Sequence, residues 1–194
     1  MYRKKETEFQ YAPVIVNIIE DVTGGGTIAR AELKGVINEL PPGVVVGADS
    51  NGLYHVVKTA KVNAIAAADA VAYQVEKNHV FKVGEAVTNG GALEGAADVI
   101  SAIDKSNADY DTITLAGTIA AAAVGDVLVL AEKKAAAGAS KFLYTPEAIT
   151  MNKVDTTVAN QQSGLLVRGT VNEAAMPYPV DSAVKALMPL VRFV

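Results

Sequence analysis

The stretch Ser163-Gly164-Leu165-Leu166-Val167-Arg168-Gly169-Thr170-Val171-Asn172-Glu173-Ala174-Ala175-Met176-Pro177-Tyr178-Pro179-Val180-Asp181-Ser182-Ala183-Val184-Lys185-Ala186-Leu187-Met188-Pro189-Leu190-Val191-Arg192-Phe193-Val194 decides how the rest of the chain reads. Leu165, Val167, Gly169 and Val171 alternate with Leu166, Arg168 and Thr170, the period of a half-buried strand. Residues 172–179 form a proline-punctuated crossing, and Asp181 stands where a helix N-cap accepts an amide hydrogen from the first turn. Val180, Val184, Leu187 and Met188 have the spacing of one apolar helix face. Pro189 disfavours helical geometry at Met188 and stops the helix. Leu190-Val191-Arg192-Phe193-Val194 then reads as a closing strand whose terminus tucks into a sheet.

Working outward, the same alternation recurs in short pieces. Residues 13–19 read as a strand, followed by the flexible break Gly24-Gly25-Gly26 and an apolar segment over 27–33. The triple glycine is no phosphate loop, since neither Gly-Lys-Ser/Thr nor Gly-x-Gly-x-x-Gly can be laid on it. Asp49-Ser50-Asn51-Gly52 between Val44-Val45-Val46 and Leu53-Tyr54-His55-Val56-Val57 predicts a hairpin, because Asn-Gly tolerates the positive φ of a tight reversal. The alanine-rich residues 60–72 fit a helix by propensity or a loop leading into a strand at 71–75. Strand patterns follow at 81–87, 99–104, 110–115 and 124–130. Gly43, Gly84 and Gly125 each precede a valine-bearing run, as glycines do where the chain bends sharply into a strand. Residues 132–141 read as a solvated loop or a pair of helical turns, and 142–144 and 148–154 lead back through the polar run 155–163. Strands about ten residues apart with turn residues between them predict a mainly β fold. The expected architecture is a sandwich or barrel of short strands with one or two short helices, including one near the C-terminus.

A chain of 194 residues without a linker predicts a single β-rich domain over 13–194, preceded by an arm over 1–12. Hydrophobic residues make up 51% and aromatic residues only 6%, so Ala, Val, Ile and Gly carry the core. Such a core gains less apolar area per residue than one of Leu and Phe, and partner subunits are expected to supply the missing burial. A net charge of -4 argues against general nucleic-acid binding, which needs a basic surface to neutralise phosphates. No apolar segment follows the basic residues of the N-terminus in the manner of a signal peptide. The longest uncharged run, 112–125, is too short for a membrane helix.

The chain from Gly164 to Ala175, the Pro177-Tyr178-Pro179 crossing, the short helix and the closing Leu190-Val191-Arg192-Phe193 together resemble the C-terminal part of tailed-phage head decoration and head-fibre proteins. The resemblance covers the last thirty or so residues. It implies a structural protein of the virion surface, assembled in the bacterial host cytoplasm, trimeric with itself and bound to the lattice of the major capsid protein, without catalysis, cofactor, nucleic acid or membrane. The alternative from another class is a β-rich surface or carbohydrate-binding module. The scarcity of aromatic rings argues against sugar stacking.

The residues offer little chemistry. Cysteine is absent, which excludes disulfides and thiolate sites. His55 and His79 each lack a second ligand at metal spacing, and the expectation for both is a structural role. Asn107, Asp109 and Asp111 follow the first half of a calcium loop, but Thr112 replaces its glycine and Thr118 its bidentate glutamate, so a solvated turn is expected. Ser140 lacks the glycine that completes a nucleophile elbow. Interest falls on the arm, where Tyr2, Phe9 and Tyr11 stand beside Arg3, Lys4 and Lys5. Residues 1–12 read either as a frayed terminus or as a docking arm, since that mixture suits docking on a neighbouring subunit or a lattice, on an acidic and grooved partner surface. The arm is expected to be dispensable for folding and necessary for attachment.

Overall fold

The computed structural model describes residues 13–93 and 95–194, and the protein is mainly β. In chain order the strands are β1 (Ile15–Asp21), β2 (Gly26–Ile28), β3 (Glu39–Leu40), β4 (Val45–Ala48), β5 (Tyr54–Val56), β6 (Thr59–Lys61), β7 (Ala72–Val75) and β8 (Ala86–Asn89). They continue as β9 (Asp98–Asp104), β10 (Asp111–Leu115), β11 (Val127–Ala131), β12 (Ala148–Thr150), β13 (Val154–Asp155), β14 (Gln161–Ser163), β15 (Leu165–Val171) and β16 (Val191–Phe193). One α-helix, α1 (Ser182–Leu187), links the last two.

The first and last thirds of the chain build one sheet in the order β1-β15-β12-β4-β5-β2-β14, with β16 parallel to β15 beside β12. Successive residues of a strand face opposite sides. Val44, Val46, Val56, Ala148 and Leu165 therefore pack on one face with Leu33 and Leu40, while Val45, Ile149 and Leu166 pack on the other with Val184, Met188 and Val191. The first face is covered by the 29–37 turn and the β3–β13 ribbon, the second by α1 and β16. Burial of Leu166 as well as Leu165 corrects the half-buried reading at the start of β15, while from Arg168 onward the alternation holds, with Arg168 exposed and Gly169 and Val171 buried. Asp181 caps α1 as expected, accepting from Ala183 N at 2.9 Å. Of the predicted helix face Val180, Val184 and Met188 are buried, but Leu187 is exposed because a helix this short turns only one stripe inward.

The middle of the chain forms a second sheet in the order β6-β11-β8-β9-β10-β7, antiparallel throughout. Its outer strands meet. Val62 bridges Val75, Asn63 N donates to Gln74 O at 2.8 Å, and Glu76 N donates to Lys61 O at 2.9 Å, so the sheet curls into a small barrel. Tyr73, Val75, Phe81, Val87, Ile100, Ile113, Leu128 and Leu130 fill it. The Tyr73 hydroxyl donates to Ala120 O at 2.8 Å, which settles the polar end of the largest buried side chain. Val80 packs into the core of the first sheet and Phe81 into the barrel, so two adjacent residues join the two cores.

Several local expectations meet their physical test here. The 49–52 reversal is a hairpin with Val46 opposite Val56 and Ala48 opposite Tyr54. Asn51 does not take positive φ; Gly52 alone does, and Asp49 Oδ1 accepts from the Asn51 and Leu53 amides to shape a longer loop. Gly43, Gly84 and Gly125 all have positive φ, which accounts for their shared place before strands. Of the two readings of 60–72 the loop into a strand holds, with 62–71 connecting β6 to β7, and 132–141 form a loop bridged by Ala135 to Ala97. The strand expected over 81–87 starts only at Ala86, after the turn that carries Gly84.

Candidate functional site

The docking residues expected at Tyr2, Arg3, Lys4, Lys5, Phe9 and Tyr11 lie outside the described residues. The strand into which they lead is described. β1 is held at each end by backbone bonds, Asn172 N donating to Val14 O at 2.7 Å and Val22 N to Leu165 O at 2.9 Å. Val14 is buried against Gly43, whose missing side chain makes the room: a Cβ there would lie 2.3 Å from Val14 Cγ1. Gly169 does the same mid-strand, where a Cβ would meet Asn17 O at 2.3 Å. The inner edge of β1 pairs with β15 through three register shifts. Among the described residues its outer edge ends the sheet.

From Val16 to Asp21 every residue of β1 is exposed. Val16, Ile18 and Ile19 are 55%, 50% and 59% exposed, which leaves three branched apolar side chains at an open strand edge. Protein edges are ordinarily blunted with bulges, lysine, proline or a cover, because bare amides and carbonyls beside apolar side chains template pairing with another chain, and of these devices β1 has the register shifts. Here the only charges on the strand are Glu20 and Asp21, at its far end.

Two polar clusters sit where the barrel meets the first sheet. His55 Nδ1 lies 2.7 Å from Glu32 Oε1 and Nε2 lies 3.5 Å from Asp49 Oδ2, with the Tyr144 ring stacked on the imidazole. Burial, the negative charges of Glu32 and Asp49, and a hydrogen bond to Glu32 push the Tyr144 hydroxyl up to about 12. Next to this group, Lys58 is entirely buried and donates to Glu85 Oε1 and to Glu32 O, while Glu85 Oε2 accepts from Lys82 N at 2.9 Å. An acid, an imidazole and a phenol are thus close together, but ring stacking and carboxylates enclose His55, and the arrangement fastens the barrel's root.

The second cluster surrounds His79. Nδ1 accepts from Phe81 N, which leaves the proton of the neutral ring on Nε2, 3.3 Å from Asp111 Oδ2 and out of line for a hydrogen bond. Burial first, then the positive charges of Lys105 and Lys77, outweigh the attraction of Asp111 and lower His79 to about 4. Val36, Ile37, Lys77 and Lys105 line an open cleft over it, and Asn78 in the left-handed region turns the chain at its rim.

Asp111 settles the fate of the oxygen-rich run. Its carboxylate points inward to Lys77 and His79, whereas Asp104 accepts from Ser106 N and Asn107 from Asp109 N in surface turns. The oxygens do not converge, and among the described residues no group of three or more His, Asp or Glu is placed to hold a metal ion. Reading the sequence missed the Lys58–Glu85 pair. The available signal was Lys58 inside the apolar run Val56-Val57-Lys58-Thr59-Ala60, where a lysine must find a buried partner.

Compared with known proteins, the chain matches no family model, no curated protein and no solved structure. No helix among the described residues is long and apolar enough to cross a membrane.

Proposed function

We propose that the chain is a structural subunit of a tailed-phage virion surface, a head decoration or head-fibre protein that joins copies of itself and a capsid lattice. The observation that carries this reading is β1, an edge strand with Val16, Ile18 and Ile19 exposed and, among the described residues, no strand paired to its outer edge. A surface of this kind is a liability in an isolated subunit and an asset in an assembly, where pairing buries it. The resemblance of residues 164–193 to decoration and head-fibre proteins supports the choice of assembly. The two polar clusters contribute to packing: His55 is enclosed by carboxylates and a stacked ring, and at the cleft over His79 the Lys77 ammonium is paired with Asp111.

The β-rich binding module is the weaker reading. Among the described residues no aromatic side chain is exposed, so none offers the flat platform on which sugar rings stack. Light scattering and capsid sedimentation test the proposal together. The protein is expected to be an oligomer, trimeric by the resemblance, and to co-sediment with undecorated cognate capsids. A monomer that stays in the supernatant at saturating capsid overturns it.

A further inference from the structure

We infer that Asn51, at the tip of the β4–β5 hairpin, is a site of spontaneous self-modification, losing its side-chain amide through attack by the Gly52 nitrogen to leave isoaspartate and aspartate. The inference goes beyond the capsid reading and does not depend on it. The chain holds two Asn-Gly pairs, Asn51-Gly52 and Asn89-Gly90. As dipeptides they are identical, and the fold treats them oppositely.

Asn51 and Gly52 are both exposed. Gly52 has a positive φ of 77°, and a Cβ built on it would meet nothing within 4 Å, so nothing crowds the nitrogen that must approach the Asn51 carboxamide. One residue holds the pair in place. Asp49 O accepts from Gly52 N at 3.1 Å, Asp49 Oδ1 from Asn51 N at 2.8 Å and Asp49 Oδ2 from Asn51 Nδ2 at 3.3 Å. At an exposed reversal water replaces such bonds at little net cost.

Asn89 is held where Asn51 is free to turn. It is only 5% exposed, donates from Nδ2 to Ala121 O at 3.2 Å and to Asp126 Oδ2 at 3.1 Å, and accepts at Oδ1 from Gly91 N at 3.3 Å. Beside it the backbone is walled in, since a Cβ on Gly90 would lie 2.8 Å from Asp181 Oδ2 and 2.9 Å from Val127 O. Reaction at Asn89 therefore waits for the barrel to open locally.

The step needs only water. Gly52 N loses its proton to solvent and bonds to Asn51 Cγ, the Cγ–Nδ2 bond breaks, and Nδ2 takes up a proton and leaves as ammonia. Water then opens the five-membered imide. Opening at the side-chain carbonyl restores the peptide bond and leaves aspartate; opening at the backbone carbonyl routes the chain through the side chain as isoaspartate, one methylene longer. Either product replaces the amide that donated to Asp49 with a carboxylate, so Asp49 faces a like charge and the net charge of -4 becomes one unit more negative.

The wild-type protein tests this when kept folded for weeks in warm, mildly alkaline buffer made with heavy-oxygen water, with a second portion unfolded in guanidinium, and both mapped by peptide mass spectrometry. In the folded portion the oxygen label and a pair of isomeric acid peptides are expected at residue 51, at least about tenfold faster than at residue 89. In guanidinium the two rates should converge. Equal rates in the folded protein overturn the inference, and so does an Asn51 that reacts only when unfolded, which would show that Asp49 locks the loop. A difference that survives unfolding belongs to the flanking sequence and overturns the structural assignment. Gly52→Ala, which meets open space, should slow the loss at residue 51 alone; an unchanged rate would mean that the Gly52 nitrogen is not the attacking group.

Discussion

His55 and Tyr144 lie ring on ring, with centroids 4.0 Å apart and planes 10° from parallel. One belongs to the last strand before the chain enters the barrel, and the other to the segment that leaves it. The stack therefore joins the two crossings between the bodies, and Glu32 and Asp49 hold the imidazole in its plane. Truncation by Tyr144→Ala is expected to cost about 2 kcal/mol, roughly half the value for a fully buried aromatic. Tyr144→Phe should keep most of that. Chemical denaturation of the two variants checks the order, and equal losses would show that the hydroxyl rather than the ring carries the contact.

Lys58 and Glu85 form a lopsided pair. The lysine has no contact with water, whereas Glu85 is one-fifth exposed and holds a second bond from Lys82 N. Removing the carboxylate strands a buried ammonium, and Glu85→Ala is expected to cost about 3 kcal/mol. Lys58→Met leaves a carboxylate that water reaches, and should cost less than about 1 kcal/mol. Urea melts of the two single variants decide, and the reverse order would refute this account of the pair.

Acid should act first through His79. Its folded-state value of about 4 lies below its ordinary 6.5, so between those values the unfolded chain binds a proton that the folded chain does not. Stability is therefore lost as pH falls from about 6.5 to about 4, by an amount on the order of 3 kcal/mol. The carboxyls of Asp49, Asp104 and Asp155 are held low by hydrogen bonds from Leu53 N, Ser106 N and the Thr157 hydroxyl, and act only at lower pH. His79→Gln should flatten the pH 4 to 6.5 limb of a melting-temperature profile. An unchanged slope would remove His79 as its cause.

Gly47 has no room for a side chain. It sits on β4 opposite His55, where a Cβ would lie 2.0 Å from Thr145 O, a backbone atom that cannot swing aside. Gly47→Ala is expected to cost at least 2 kcal/mol by displacing the strand that returns from the barrel. Gly138→Ala meets open space but has positive φ, and should cost about 1 kcal/mol from conformation alone. Calorimetry of the two separates crowding from backbone strain.

The parts legible in the sequence were those governed by neighbours along the chain. Asp181 capping α1, the break at Pro189, the closing strand at Val191 and the glycines at 43, 84 and 125 are set by local φ and amide satisfaction. Short β-forming runs between turn residues likewise found β9, β10 and β11. Distant pairing was not legible. Nothing in Thr59-Ala60-Lys61 announces that its neighbour Val62 will meet Val75, and the barrel exists only through that contact. The double burial of β15 depends on α1 and the 29–37 turn arriving from opposite sides. The arm was singled out for its composition and lies outside the described residues, while the apolar surface of the strand that follows it became visible only when β1 was seen at the end of the described sheet with Val16, Ile18 and Ile19 uncovered.

The barrel hangs from the first sheet by two strands of chain that lie side by side, with Leu130 N donating to Lys58 O at 3.0 Å and Gly47 pressed on Thr145. For the sheet, everything between residues 58 and 144 is one connection whose ends are already together. Closing such a connection costs entropy only as the logarithm of its length, about 0.6 kcal/mol for each doubling. The length of that connection therefore matters little to the sheet, and what the sheet takes from it is Val80, a fully buried member of its own core. Any small domain that returned an apolar side chain to that place could keep β4, β5 and β12 in register, which makes the middle of this chain a cassette carried on a fixed platform and plugged into it at one residue.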